Sequence, residues 1–293
     1  MMELRHIQYF VATAEAGTVS GAALRLHLTQ PGLSRQLRQL ERDLGVPLFD
    51  RSAGRLELSA TGRSLLPQAR DLLQRADALR LAASFHAAGR LERLTIGAPT
   101  VTLTDVVAPF IATLAPDDPT TDVLGADGLS PAQTLRLGAD LAVGTVAAAA
   151  PFHEIPLAVL PVWAYVPAGH PWSGRRAVPL SELLGEPLIL LPPTFTARQA
   201  LDATRDDIPY RSVIEAANGT VAQALAAAGR GIAIASDDPR FGLVPLAVDL
   251  GGRHLSIRLR AVWDSRHPAA PTLDRFAARL GRFIRDRYDA PAT

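Results

Sequence analysis

The 293-residue sequence contains no cysteine. A disulfide scaffold, a thiolate metal site, an iron–sulfur cluster and a cysteine nucleophile are therefore excluded, and a reducing compartment is expected. Lysine is missing as well, since all 30 basic residues are arginine. Schiff-base chemistry and a P-loop Gly-Lys-Ser/Thr go with it. Nowhere do 18 apolar residues run together, and Met1-Met2-Glu3-Leu4-Arg5-His6 leads into a mixed polar segment. The expectation is a soluble, cytoplasmic chain with no membrane partner. The 7 histidines form no His-x-x-x-His pair, there is no Gly-x-Ser-x-Gly elbow, and Gly229-Arg230-Gly231 precedes a predicted strand rather than opening a helix. No catalytic residue, metal or cofactor is predicted.

What is present is globular material, 48% hydrophobic and 20% charged, long enough for two domains. The net charge of +1 is unevenly spread: residues 1–93 carry 13 Arg against 9 acidic residues, and 94–293 carry 17 against 20. The amino-terminal part thus leans towards a polyanionic partner.

Leu4 to Ala16 is apolar at helical spacing and ends at Gly17, a suitable C′ residue. Thr18 can cap a second, short helix burying Val19, Ala22, Ala23 and Leu26, and Thr29 a third that opens Gln30-Pro31 and stops at Gly45. On the third helix Leu33, Leu37, Leu40 and Leu44 share a stripe about 60° wide, while Pro31, Arg35, Arg38 and Arg42 fall together on another face. A solvated surface helix would show the same pattern. Its setting argues for more: two short helices, the second basic on its outer face, precede strands at 48–51 and 55–58, which makes a helix-turn-helix with a wing. Over 60–88 a long helix carries Leu65, Ala69, Leu72, Ala76, Leu79 and Ala83 at coiled-coil spacing, so a partner helix is implied; the stripe equally suits packing on its own domain, Leu66 and Leu73 widen it enough to do both, and Pro67 is a potential kink.

From Leu91 short apolar strands alternate with helices: strands at 94–97, 121–125, 140–144, 162–167, 188–191, 213–216, 232–235 and 255–263, helices at 104–114, 130–137, from 196, 220–228 and 272–288. This predicts α/β architecture with largely parallel strands in two wound units. The alanine run 147–150 reads as a linker.

The ordered series Thr18-Val19-Ser20-Gly21-Ala22-Ala23-Leu24-Arg25-Leu26 through Gln30-Pro31-Gly32-Leu33-Ser34-Arg35-Gln36-Leu37-Arg38, then Leu44-Gly45-Val46-Pro47-Leu48-Phe49-Asp50-Arg51 and Leu58-Ser59-Ala60-Thr61-Gly62, closely resembles the amino-terminal domain of LysR-type transcriptional regulators. Later segments, Leu94–Pro99, Val166–Pro171, Pro187–Pro193 and Ala226–Ala235, resemble that family's effector-binding domain. The resemblance implies a winged helix-turn-helix DNA-binding domain over 1–60, a dimerising linker helix over 61–90, and a bilobal type II periplasmic-binding-protein-like domain over 91–293. Its subdomain I is expected at 91–160 and 267–293, subdomain II at 161–266. Gly32 stands where the family usually has alanine, and with Gly21 it softens the DNA-binding helices, by about 0.5–1 kcal/mol each.

By that resemblance Gln30, Pro31, Ser34 and Arg35, at the helix start that enters a major groove, align with base and phosphate contacts. Arg35 suits either a guanine or a phosphate. Arg38, Thr18, Ser20, Arg51 and Arg55 suit phosphate, although Arg51 equally suits pairing near Asp50 or Glu57. A dimer through 65–83, assembled into a homotetramer, would read an imperfect palindrome in double-stranded DNA. Open α/β units bind ligands at the carboxyl ends of strands, where Pro99, Thr100, Thr102, Thr196, Arg198, Asn218 and Thr220 open helices. The threonines serve equally as N-caps. The resemblance puts them in one cleft, where with Arg198 they would suit a small anionic effector, Asp127 adding selectivity or capping at Ser130. Two other readings remain at this point: a small-molecule binding protein without an operator, and an enzyme on the same bilobal fold.

Overall fold

A computed structural model describes residues 2–52, 55–88, 91–205 and 208–290, with backbone alone at 51, 52, 55, 78, 81, 82 and 84–88. The chain divides into two compact units, Met1–Ala87 and Ala88–Thr293.

In the first unit, α1 (Leu4–Ala16) ends at Gly17 with φ 65°, the left-handed geometry glycine adopts without cost. The Thr18 hydroxyl accepts from Gly21 N at 3.1 Å to start α2 (Val19–Arg25), and the Thr29 hydroxyl accepts from Gly32 N at 3.3 Å to start α3 (Gln30–Leu44). The strands β1 (Phe49–Ser52) and β2 (Arg55–Leu58) pair antiparallel, Phe49 opposite Leu58, and α4 (Ala60–Ala88) comes next. Ile7, Phe10, Ala22, Ala23, Leu33, Leu37, Leu40, Leu48, Phe49 and Ala69 form one core, with Phe10 and Phe49 edge to face at 5.6 Å. Leu44 does not join the buried stripe: it is the last residue of α3 and is exposed.

Two polar clamps hold the segment between α3 and α4 in place. Glu41 Oε1 accepts from Leu48 N at 2.8 Å and Phe49 N at 3.2 Å, so β1 hangs from α3. The Ser59 hydroxyl donates to Pro47 O at 2.7 Å and accepts from Gly62 N at 2.9 Å. A Cβ at Gly62 would lie 2.1 Å from Leu48 O, so the chain crosses here at glycine-only distance. Helix α4 runs unbroken through Pro67. Its stripe divides: Leu65, Leu66, Ala69 and Leu73 pack on the unit's own core, while Leu72 and Leu79 are exposed.

The second unit holds two sheets. The first has the order β4-β3-β5-β13-β6, from β3 (Arg93–Ala98), β4 (Thr120–Gly125), β5 (Leu141–Gly144), β6 (Phe152–Pro161) and β13 (Ser256–Asp264). The second has the order β10-β9-β11-β7-β12-β8, from β7 (Trp163–Val166), β8 (Ala177–Pro179), β9 (Pro187–Leu190), β10 (Ser212–Glu215), β11 (Ile232–Ala235) and β12 (Val244–Asp249). Helix α5 (Thr100–Thr102) continues through a π turn, Leu103–Val107, into α6 (Ala108–Ile111), earlier than the helix expected at 104–114. Then come α7 (Pro131–Arg136), α8 (Leu180–Leu184), α9 (Thr196–Asp202), α10 (Gly219–Ala227) and α11 (Ala270–Tyr288).

Both sheets are mixed, not largely parallel. β3 is parallel to β4 and β5, and β9 to β10 and β11, whereas β13 is antiparallel to β5 and β6, and β7 to β11 and β12. The cause is that the chain passes between lobes in single strands, β6 into β7 and β12 into β13, bound side by side where Val162 N donates to Leu255 O at 2.9 Å. β13 lies within the span expected for subdomain II, yet its ladder belongs to the first sheet.

Candidate functional site

The first unit presents the amino-terminal end of α3. Leu33, Leu37 and Leu40 are buried beneath it, whereas Gln30, Pro31, Arg35 and Arg38 are exposed and Ser34 is half-buried. Pro31 brings no N–H to the first turn, the Thr29 hydroxyl takes Gly32 N and Thr29 O takes Leu33 N at 2.9 Å, so this helix start presents side chains rather than a row of free amides. Arg38 Nε donates to Ser34 O at 3.2 Å, a local bond that an anion can displace. Arg35 makes no ion pair among the described residues. Thr18 and Ser20 are exposed at the start of α2, and Thr18 spends its oxygen on the cap. The side chains of Arg51 and Arg55 lie outside the described residues. His6 Nε2 sits 2.8 Å from Gln36 Oε1 and His6 Nδ1 accepts from Glu3 N at 3.2 Å, a tie between α1 and α3 that no sequence pattern signals.

In the second unit the carboxyl ends of β3, β4, β5, β9, β10 and β11 converge on a cavity of about 460 Å³ between the two sheets. That is where open α/β sheets place ligands. Pro99, Thr100, Thr102, Asp127, Thr196, Asn218 and Thr220 all line it. Arg198 does not. Its Nε donates to Asp202 Oδ2 at 2.7 Å, its NH1 reaches Leu191 O at 3.4 Å, and its guanidinium lies 5.2 Å from the centre of the Tyr210 ring. A carboxylate four residues on and an aromatic face claim the cation first. Asp127 does not cap at Ser130. One of its oxygens accepts from Thr100 N at 2.8 Å and the other from the Thr100 hydroxyl, while Ser130 caps α7 in a reciprocal box with Gln133.

The wall also holds Ser130, expected only as a helix start, and groups that the sequence did not single out: Thr145, Thr194, Asp237 and Arg240. Asn218 Oδ1 caps α10 at Val221 N, 2.9 Å. Asp237 lies against the same helix start, where a Cβ on Gly219 would fall 2.0 Å from its carboxylate. Burial, then the charge of Asp105, push the Asp237 carboxyl up to about 6. Arg240 NH2 meets Asp105 Oδ1 at 2.5 Å. Burial opposes its charge, but Asp105, Asp237 and Asp238 outweigh that and raise its pKa. Arg240 is thus the cationic side chain on the described wall, held by a carboxylate behind it. The Gly-Thr at 219–220 was a legible helix start; no spacing pointed to Asp237 or Arg240.

Residues 4–63 match the family model described as bacterial regulatory helix-turn-helix protein, lysR family, and residues 87–284 match the LysR substrate binding domain. The HTH-type transcriptional regulator TfdT of Cupriavidus pinatubonensis is 37% identical over 204 residues, 65% of this chain and 86% of that protein. Two solved structures share the fold. CbnR complexed with its target DNA has a TM-score of 0.67 at 24% identity, covering 96% of this chain and 100% of that one. A full-length OxyR variant from Pseudomonas aeruginosa also gives 0.67, at 23% identity, covering 97% and 95%. The architecture is accordingly a helix-turn-helix module followed by a substrate-binding domain of two α/β lobes, and the protein is a regulator of transcription rather than an enzyme. With both units matched by that family's models, the chain belongs to the LysR family of bacterial regulatory helix-turn-helix proteins.

Proposed function

We propose that this regulator acts in the cytoplasm by seating α3 of two chains in successive major grooves of an imperfectly palindromic operator, under control of a small anionic effector in the interlobe cavity. The observation that carries the reading is the division of α3 into a buried leucine face and an exposed face bearing Gln30, Pro31 and Arg35. Such a helix presents its first turn to base edges while its core side stays fixed. Ser34 and Arg38 lie beside that turn; Thr18, Ser20, Arg51 and Arg55 are assigned to the flanking phosphates. That CbnR has been solved on its target DNA supports the same use of the fold. Residues 1–60 are the DNA-binding module, 61–90 the dimerising linker and 91–293 the effector domain. Leu72 and Leu79, exposed on α4, are the part of the seam left for a partner chain, and dimers pair into a homotetramer.

In the cavity the Thr100, Thr196 and Thr220 hydroxyls surround the ligand, with Pro99, Thr102 and Asn218 shaping its edge. Arg240 replaces Arg198 as the cation that reads its charge. The test is footprinting on the DNA upstream of the protein's own gene, with and without candidate carboxylate metabolites, at several salt concentrations. Expected are two protected half-sites about 10 base pairs apart or a multiple of that, affinity that falls steeply with salt, and a pattern altered by the effector. Binding that ignores salt, or that survives replacement of Arg35 and Arg38 together, overturns the reading.

A further inference from the structure

The loop that follows β11 has two attachments. On one side Ser236, Asp237 and Arg240 belong to the cavity wall. On the other, the same loop is gripped by the opposite lobe. Asp105, in the π turn of the first lobe and 7% exposed, takes Arg240 NH2 on Oδ1 and Asp238 N on Oδ2, at 2.5 and 2.9 Å. Arg287 of α11 donates to Asp238 Oδ2 at 2.9 Å, and the Tyr288 hydroxyl donates to Asp105 O at 2.9 Å. Within its own lobe the loop is held by Gln223, whose amide donates to Asp238 O at 3.0 Å and whose Oε1 accepts from Arg240 N at 2.7 Å, and by the buried Tyr165 hydroxyl, which donates to Asp237 O. Among the described residues the lobes also meet at the paired strands, where Val162 N donates to Leu255 O at 2.9 Å, and across the cavity, where the Thr145 and Thr196 hydroxyls lie 3.4 Å apart.

We infer that Asp105, Asp238, Arg240 and Arg287 form an interlobe latch that fixes the opening of the cavity and that an anion in the cavity releases by drawing Arg240 away from Asp105. The inference rests on the cavity being the effector site, as proposed for this protein's function. Arg240 is the shared part: it belongs to the cavity wall and makes the shorter of the two cross-lobe ion pairs, 2.5 Å to Asp105 against 2.9 Å for Arg287 to Asp238. A guanidinium has five donors in one plane, so a carboxylate arriving from the cavity can compete for it while Asp105 keeps its bond from Asp238 N. The π turn gives the latch its geometry. Helix bulges of this kind recur at functional sites, and this one carries Asp105 into reach of the other lobe's loop.

Because the chain has no cysteine, two spin labels can be placed by Asp274→Cys on α11 and Arg253→Cys between β12 and β13, both at exposed positions. The full-length labelled chain is mixed with excess unlabelled chain, so that only the intrachain distance is read by pulsed electron resonance without any ligand. With the latch intact one narrow distance population is expected. Arg240→Met and Asp105→Asn are expected to add a second population, and Arg287→Gln, which changes only a partly exposed arm, a smaller one. Arg287→Gln keeps the test decisive if the buried variants do not fold. An unchanged narrow distribution in every folded variant overturns the latch. DNA footprinting on the same unlabelled variants reads the proposed function separately: an intact footprint with an unchanged distance sinks the latch alone, and a missing wild-type footprint sinks only the operator reading.

Discussion

Asp237 makes the protein's stability depend on pH in a window where aspartates usually have no influence. Its carboxyl sits near 6 in the folded chain against an ordinary 3.8, because it is 5% exposed and shares its surroundings with Asp105 and Asp238. Folding therefore favours the protonated form. The stabilisation associated with that proton is complete below about 3.8 and is lost as pH rises through about 6, so above that point the ionised group costs about 2–3 kcal/mol. Asp237→Asn keeps the size and polarity of the side chain against Gly219 and removes the charge. Unfolding by urea or heat, followed at pH 4 to 8, should show the variant more stable than wild type by about 2–3 kcal/mol at neutral pH, or about 4–12 °C for a unit of this size, with the difference shrinking towards pH 4. The groups facing Asp237 that titrate or carry charge are Asp105, Asp238, Arg240 and Tyr165; burial and then the charge of Asp237 raise the Tyr165 phenol, which keeps it a neutral donor. A difference independent of pH, or a variant less stable at pH 7, would refute the argument that burial and like charge set this carboxyl.

At lower pH the opposite behaviour is expected from Asp118, whose carboxyl is held below the usual range first by the Arg279 hydrogen bonds: its contribution is present above about 3.8 and lost on further acidification, and Arg279→Ala should flatten the unfolding curve there. Gly62→Ala forces a methyl onto Leu48 O at 2.1 Å, so the first unit should lose about 1–3 kcal/mol, seen as a lowered first transition in calorimetry; an unshifted transition would mean that the crossing at Leu48 relaxes freely. Arg35→Ala should cost about 1–3 kcal/mol of operator affinity with loss of preference at the contacted base, whereas Arg38→Ala should weaken all sequences alike and lower the salt slope by about 1, both measurable by fluorescence anisotropy. Leu79→Asp, at a site 72% exposed in the single chain, should leave the fold intact and shift sedimentation to smaller species; unchanged assembly would move the dimer contact off this seam.

The helices of the first unit are legible because each reports locally on itself. Their caps Thr18 and Thr29 and their stops Gly17 and Gly45 lie within a few positions of the residues they satisfy, and a buried stripe repeats at helical period. What escaped detection depends on partners far along the chain. β6 shows no strand period because prolines at 151, 156 and 161 punctuate it and its first half is only partly buried; it is a strand because β13 lies beside it. β12 carries Pro245 near its start, and β8 is three residues long, so neither offers a period to count. Arg198 shows the same limit inside the site. A threonine at a helix start and an arginine two residues on look like an anion cradle, yet Asp202 on the same helix and Tyr210 beyond it engage that arginine first. The cation that does reach the cavity is Arg240, and its partner Asp105 is 135 positions away. Selection of the right arginine is thus a property of the folded lobes, decided by which carboxylate each guanidinium meets, and it ties the charge that can recognise an effector to the contact that joins the two lobes.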